Sequence, residues 1–387
     1  MIPRRLADVV QTYASEFKIV AILGPRQAGK TTLARHLFKN KPYVNLEEPD
    51  SRNFAEEDPR GFLNRFPEGA VIDEAQRCPQ LFSYLQPRVD ASHRRGEFIL
   101  TGSQQLGMME TITQSLAGRV GTVSLLPFSY TELKNAELQP ESIEEALFRG
   151  GYPPLYDIPR ADPQRWLNSY LRTYVERDVR SALNVRDLSM FQRFLGLCAG
   201  NVGQLLNTER LGADCGISHN TARSWLSVLE AGFVVFLLQP HHANFRKRLV
   251  KTPKLYFYDT GLLTRLLAVE TPQQLQVHPL RGSIFENWIV TELMKEYLHR
   301  GQEPRLYFWR DSHGHEIDIL RDTGLHYQVW ECKSGMTYRT EWTEDLEYWQ
   351  ALAGVVAGEK RVAYGGDESF VRKGVRVVSW KDLGNER

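Results

Sequence analysis

Two groups of residues in this sequence have types and spacings suited to phosphate chemistry, one near each end of the chain. The first is "GPRQAGKTT", Gly24 to Thr32, which fits the pattern G-x-x-x-x-G-K-[ST]. Gly24, Pro25, Arg26, Gln27, Ala28 and Gly29 form a loop whose backbone N–H groups turn inward around a phosphate, and the helix that follows adds the positive end of its dipole. Lys30 is placed to reach the β- and γ-phosphates, the Thr31 hydroxyl to ligate Mg²⁺, and Thr32 to complete the binding set. A chance glycine-rich turn would read the same way in isolation. The segment "EGAVIDEAQ" decides against chance, because its apolar run ends in Asp73 and Glu74. Asp73 at a strand end suits Mg²⁺ held through water, and Glu74 suits orienting or deprotonating the attacking water.

Two further residues belong to this first group with alternatives attached. Ser103, after the apolar run in "GEFILTGSQ", either feels the γ-phosphate, as Gln104 does in the same reading, or caps the next helix. Arg119, in "LAGRVGTVSLL", either neutralises transition-state charge in a neighbouring subunit or is a surface arginine at a strand end.

The second group is "GHEIDILRDTGLHYQVWECKSG", residues 314 to 335, with Glu286 upstream in "RGSIFENWIVTELMKEYL". Strand alternation puts Glu316, Asp318 and Leu320 on one face and Ile317 and Ile319 on the other. On the returning strand Tyr327, Val329, Glu331 and Lys333 share a face, and a hairpin brings Asp318 close to the Glu331 end. Asp318 and Glu331 sharing Mg²⁺ or Mn²⁺, with Lys333 positioning the nucleophile and Glu286 completing the metal shell, is a set that hydrolyses phosphodiesters. The competing reading is a same-face Glu331–Lys333 ion pair of little energetic weight, with Asp318 exposed.

The elements that must position these residues follow from periodicity. Lys18–Leu23 reads as a short buried strand, "EGAVIDEAQ" and "GEFILTGSQ" each contain another, and a further apolar strand follows Arg119; the strand–loop–helix alternation predicts a parallel α/β sheet with helices on both faces. From about residue 131 the chain turns helical. A helix with Trp166, Tyr170, Leu171 and Tyr174 on one face carries Arg177, either a lid arginine or a partner of nearby acids. A helix ending near Cys215, a short turn, and a helix His219–Glu230 capped by Ser218 precede the strands "FVVFLLQP" and "KLYFYD", the order of a winged helix-turn-helix. Its DNA contacts are His219, Asn220, Thr221 and Arg223, with the basic cluster Arg246, Lys247, Arg248, Lys251 and Lys254; a solvated basic surface and a protein-binding role are the alternatives.

Composition narrows the rest. The 387 residues exceed one ordinary core and predict several domains, with 42% hydrophobic and 25% charged residues typical of globular protein. A net charge of +1 excludes a uniformly basic DNA wrapper. Four dispersed cysteines, no spanning apolar run and no secretory leader predict a cytoplasmic protein without membrane attachment.

The motifs "GPRQAGKTTL", "VIDEAQ", "LTGS" and "LAGRV", in that order, resemble a group of prokaryotic AAA+ P-loop ATPases. The order "FEN…EIDIL…ECKSG" resembles the PD-(D/E)XK nuclease superfamily, and in particular the domain found behind such an AAA+ module. These resemblances imply ATP hydrolysis with Mg²⁺, and a homo-oligomer, a hexameric ring among its forms, in which Arg119 serves the neighbouring site. The implied architecture is α/β throughout. It comprises an AAA+ core over 1–132, a helical lid over 133–190, a winged helix over 191–260 and a restriction-endonuclease-like domain over 261–387. The activity so implied couples ATP to DNA processing, on branched or single-stranded DNA among other forms. A remodeller that only grips DNA and a regulatory ATPase whose winged helix binds protein are the alternatives.

Overall fold

Every residue of Ile19–Leu23 (β1) is buried, as an uninterrupted apolar run requires of a strand covered on both faces. The computed structural model describes residues 2–103, 116–157, 162–174, 188–241, 250–354 and 357–384. Strands Tyr43–Asn45 (β2), Ala70–Asp73 (β3), Phe98–Gly102 (β4) and Val120–Ser124 (β5) join β1 in a parallel sheet of order β2-β3-β4-β1-β5. Ile19, Ala21 and Leu23 face one apolar layer, with residues of the helices Pro49–Glu57 (α3), Pro59–Asn64 (α4) and Leu81–Asp90 (α5). Val20 and Ile22 face the other, against Ala7–Glu16 (α1) and Lys30–Leu37 (α2). Thus β1 and β3 both deliver their C-terminal ends to the edge where α2 begins.

Helices Tyr130–Asn135 (α6), Ile143–Arg149 (α7), Pro154–Asp157 (α8) and Pro163–Tyr174 (α9) follow. Then come Leu188–Gly200 (α10), Thr208–Cys215 (α11) and His219–Ala231 (α12), and an antiparallel ribbon of Val235–Leu238 (β6) with Lys254–Phe257 (β7). The expected N-cap is present, since Ser218 Oγ accepts from the Thr221 N–H at 3.1 Å. Of the residues predicted to act at sites, Arg246, Lys247 and Arg248 lie outside the described residues, as do Gln104 and Arg177.

Helix Thr260–Leu266 (α13) leads to Arg281–Leu298 (α14), and then to a second sheet. Its strands are Leu306–Arg310 (β8), Glu316–Asp322 (β9), Tyr327–Lys333 (β10), Ala357–Tyr364 (β11), Phe370–Arg372 (β12) and Val375–Ser379 (β13), in the order β12-β13-β11-β10-β9-β8, with helix Glu344–Ala353 (α15) between β10 and β11 in sequence. One point departs from strict alternation. Tyr307 pairs with Leu320 and Trp309 with Ile317, so two residues of β9, Asp318 and Ile319, stand opposite Phe308 alone. This bulge lets Ile317 and Leu320 enter the same apolar layer, with Leu346 and Trp349, while Ile319 enters the other. The expectation that Ile317 and Ile319 share a face is therefore corrected.

The apolar layer containing Ile319 and Trp330 is continuous with that of β1 and of the middle helices. Helix α14 lies within it and is buried nearly all round, including Asn287, Thr291, Glu292, Lys295 and Glu296. Polar groups buried on such a helix need partners, and Glu292 and Lys295 bond each other, the Tyr130 N–H and the Phe128 carbonyl.

Candidate functional sites

The loop Gly24–Gly29 is held by backbone geometry that side chains would spoil. Gly24 has φ of 148° and its missing Cβ would run into the Leu125 carbonyl, while Gly29 caps α2 in the left-handed region with φ of 94°. The Lys30 ammonium is buried and donates to the Gly24 and Pro25 carbonyls at 2.9 and 2.7 Å. Burial lowers its pKa to about 8, with the charges of Glu74 and Asp73 opposing.

Asp73, at the end of β3, gathers hydroxyls. Thr31 Oγ1 donates to its two oxygens at 3.0 Å each, Tyr43 OH to Oδ2 at 2.8 Å, and Thr101 Oγ1 to Oδ1. A hydroxyl and a carboxylate already in contact are a donor set that fits Mg²⁺. Glu74 takes φ of 53°, a left-handed conformation uncommon for a residue with a side chain. Its Oε2 accepts from Ser103 Oγ at 3.2 Å and from Gln76 Nε2, and Gln76 also reaches Ser103 at 3.3 Å. Ser103 therefore touches the proposed base. Gln76, which sequence reasoning passed over, lies two residues along in "VIDEAQ" and holds the same carboxylate.

Of these residues Gly29, Lys30, Thr31, Asp73 and Glu74 line a cavity of 440 Å³, together with Arg26, Gln27, Thr32 and Glu47. Its far wall is made by Pro153, Asp157, Tyr170, Thr173 and Tyr174, from the segment around α8 and α9. No local signal marks these residues, because tertiary packing alone brings them to the loop. Arg4 was likewise missed. Buried behind the loop, it donates to the Ala28 and Leu126 carbonyls at 2.8 and 2.6 Å and to Glu132 at 3.0 Å. Arg119 does not line the cavity; it pairs with Asp90 at 2.6 and 2.8 Å on the outer edge of the sheet.

In the helical pair α11–α12, Asn220 and Arg223 are exposed and His219 and Thr221 half-buried, and Lys251 is exposed beside the ribbon. Lys254 is not on that surface. It is 3% exposed, and its ammonium ion-pairs with Glu286 at 2.9 Å and with Glu316. Its assignment as a DNA contact is corrected: β7 packs against the C-terminal part of the chain, and the alternation of the ribbon turns this lysine inward.

In the C-terminal sheet, the pairing of β10 with β9 runs from Tyr327–Asp322 to Trp330–Ile319 and stops short of Asp318 and Glu331. Asp318 Oδ2 accepts from the Cys332 N–H at 2.8 Å, and Lys333 ion-pairs with Glu331. Burial, with Asp318 adding to it, raises the Glu331 pKa to about 9. Glu331 Oε2 is buried without a hydrogen-bond partner. Glu286 does not join this pair in the expected way. It accepts from Lys254 and from Tyr256 OH, and burial raises its pKa to about 7. Among the described residues no three His, Cys, Asp or Glu side chains stand as a metal shell. The metal-ligand assignment of Glu286, Asp318 and Glu331 as one set therefore does not fit the arrangement, in which a lysine supplies the cation.

A family model of the AAA domain matches residues 16–134, and models of two domains of unknown function, DUF8612 and DUF4143, match 140–273 and 281–383. Uncharacterized proteins of Mycobacterium tuberculosis and Mycobacterium bovis are each 33% identical over 306 residues, covering 78% of this chain and 67% of theirs. The chain belongs to their family. A more distant uncharacterized protein of Haemophilus influenzae is 21% identical over 178 residues, 43% of this chain and 44% of that one. Among solved structures, a Walker-type ATPase of Pyrococcus abyssi aligns with a TM-score of 0.50 at 13% identity, over 69% of this chain and 96% of that one, a likeness of fold. With the AAA domain and this parallel-sheet fold, this member of the family is an ATPase of the AAA, P-loop type. No helix among the described residues is long and apolar enough to cross a membrane.

Proposed function

We propose that this ATPase hydrolyses ATP at the Gly24–Thr31 loop and uses the nucleotide state to act on DNA as a homo-oligomer. The observation that carries the first part is that Lys30, Thr31, Asp73 and Glu74 line one cavity, with Thr101 bonded to Asp73, and Gln76 and Ser103 to Glu74. Thr31 and Asp73 are the residues that would hold Mg²⁺, which when bound neutralises charge on the phosphate oxygens. Lys30 leaves the Gly24 and Pro25 carbonyls for the phosphates, and the loop N–H groups bind the same oxygens. Glu74 takes the proton of the attacking water, and Ser103 and Gln76 fix the oxygen that receives it.

The order α11, turn, α12 and ribbon supports reading residues 191–260 as a winged helix, with the exposed Asn220, Arg223 and Lys251 toward DNA phosphates. Helix α14 supports coupling, because Glu286 stands near its start while Glu292 and Lys295 bond Tyr130 N–H and the Phe128 carbonyl beside the ATPase sheet. A second reading, phosphodiester cleavage by residues 261–387, is favoured by Asp318 on β9 accepting from the Cys332 N–H of β10, between Glu331 and Lys333, which form an ion pair. Linear, forked and four-way DNA incubated with wild type, Glu74→Gln and Lys333→Ala, scored for ATPase stimulation, cleavage and unwinding together, tests both. DNA should raise ATPase several-fold in wild type. An ATPase rate unmoved by every DNA sinks the DNA reading, and cleavage lost only in Lys333→Ala establishes the second.

A further inference from the structure

The phosphate loop is braced from behind by a residue outside its motif. Gln27 and Gly29, on either side of Ala28, both take left-handed backbone, with φ of 63° and 94°. Left-handed residues in so short a run turn backbone N–H groups to one side and make an anion nest. For Gln27, which carries a side chain, that conformation is uncommon and has to be held by its surroundings. The Ala28–Gly29 peptide is where the hold is visible. Its carbonyl accepts from Arg4 Nη1 at 2.8 Å, and Arg4 is buried outside the cavity that Gly29 lines. A trans peptide points its N–H opposite to its C=O. Fixing the Ala28 carbonyl on Arg4 therefore turns the Gly29 N–H away from Arg4, toward the inner side of the loop.

The same guanidinium is fixed at its other nitrogens. Nη2 donates to the Leu126 carbonyl at 2.6 Å and Nε to Glu132 Oε1 at 3.0 Å. Glu132 is held in turn by the N–H groups of Arg5 and Ser129, both at 2.9 Å. Three nitrogens of one planar fork thus set the loop against the chain beyond β5 and the first turn of α6. Glu132 balances the arginine's charge, so the brace contributes orientation more than attraction for phosphate. We propose that Arg4 is a positioning residue of the ATPase, holding the Ala28–Gly29 peptide so that the loop N–H groups face nucleotide before it arrives. This role rests on Gly24–Thr31 being the ATP site, as proposed above. Loop N–H groups hold the phosphates throughout the reaction, so losing the brace weakens binding uniformly: KM rises and kcat stays.

Steady-state ATP hydrolysis and thermal melts are measured on full-length wild type, Arg4→Lys, Arg4→Met/Glu132→Gln, Glu132→Gln and Lys30→Ala. Arg4→Lys keeps the charge beside Glu132, but one ammonium replaces three donors and is drawn to the carboxylate, releasing the Ala28 carbonyl. Arg4→Met/Glu132→Gln removes both charges together, so that no buried charge is left alone. In both variants KM for ATP should rise about tenfold or more, the worth of one charge-assisted hydrogen bond, with kcat little changed. Glu132→Gln should do the opposite, melting lower while KM stays near the wild-type value, because Arg4 still holds the loop carbonyl. A KM that follows the melting temperature across the set would overturn the proposal, since Arg4 would then act through stability alone. So would a wild-type KM in both Arg4 variants, or an Arg4→Lys protein that does not fold. Undiminished turnover in Lys30→Ala would remove the site reading and the role of Arg4 with it. Turnover lost in Lys30→Ala, with KM unmoved in the Arg4 variants, would remove the role of Arg4 alone.

Discussion

Lys30 is the side chain on which nucleotide binding most directly depends, and its burial makes that dependence visible in pH. Its pKa of about 8 in the free protein must rise when a polyphosphate replaces the loop carbonyls, because the nearby negative charge favours the ammonium. ATP binding should therefore take up protons near pH 8, and affinity should fall as pH rises through that value. Calorimetry in buffers of different ionisation enthalpy measures this; an uptake of zero would contradict it. Lys30→Ala should lower ATP hydrolysis by about 10²- to 10³-fold, the usual cost of one electrostatic contact to the transition state. Glu74→Gln has a different signature. It keeps the contacts to Ser103 and Gln76 but cannot accept a proton, so hydrolysis should fall by about 10²- to 10⁴-fold while nucleotide still binds. A Glu74→Gln protein with undiminished turnover would remove Glu74 as the base.

Helix α14 is the element that ties the two ends of the molecule together, and His299 at its C-terminal end gives it an acid sensitivity. Burial lowers the His299 pKa to about 4, with Glu132 at 3.7 Å opposing, and neither ring nitrogen has a hydrogen-bond partner. A histidine with a lowered folded pKa binds fewer protons folded than unfolded between about pH 6.5 and 4. Stability is complete above that window and is lost as pH falls through it, by an amount on the order of 3 kcal/mol. Glu132 adds a lower window. Burial alone would raise it, but Arg4, with His299 and the Ser129 N–H, holds it at about 2, so its contribution disappears only as pH falls below about 4.5. Urea midpoints measured from pH 7 to pH 3 should drop in two steps in wild type. In His299→Phe the upper step should vanish and the lower one remain; an unchanged upper step would show that another group titrates there.

At the scale of the whole molecule, Arg119 distinguishes a working monomer from an assembly. It sits on the sheet edge, bound to Asp90 and away from its own chain's cavity, so any catalytic contact it makes must be with a neighbouring subunit. Arg119→Ala and Lys30→Ala proteins, each inactive alone under the proposed scheme, should complement when mixed. One supplies intact loops, the other intact arginines, and equal mixing into random rings should restore about a quarter of wild-type turnover. A mixture as inactive as its components, under conditions where wild type sediments as an oligomer, would mean that Arg119 is a structural surface residue.

The sequence by itself determined what depends on short-range rules. The loop Gly24–Thr31, the strand ending at Asp73 and the Ser218 cap follow from local conformational limits and strand period, and all are present. Tertiary structure alone decided what depends on partners distant in the chain. Arg4 behind the loop, Tyr170 and Tyr174 across the cavity and the all-round burial of α14 have no signature in a local window. The β9 bulge reassigned Ile317 because its position is set by what β8 presents, not by β9 itself. Lys254 is the clearest case. Within its own segment it is one more base in a basic run, and its role was reversed only because the fold carries that strand into a group of acids from another part of the chain. A charged residue's function is set by the charges that packing places around it, and those are not written beside it in the sequence.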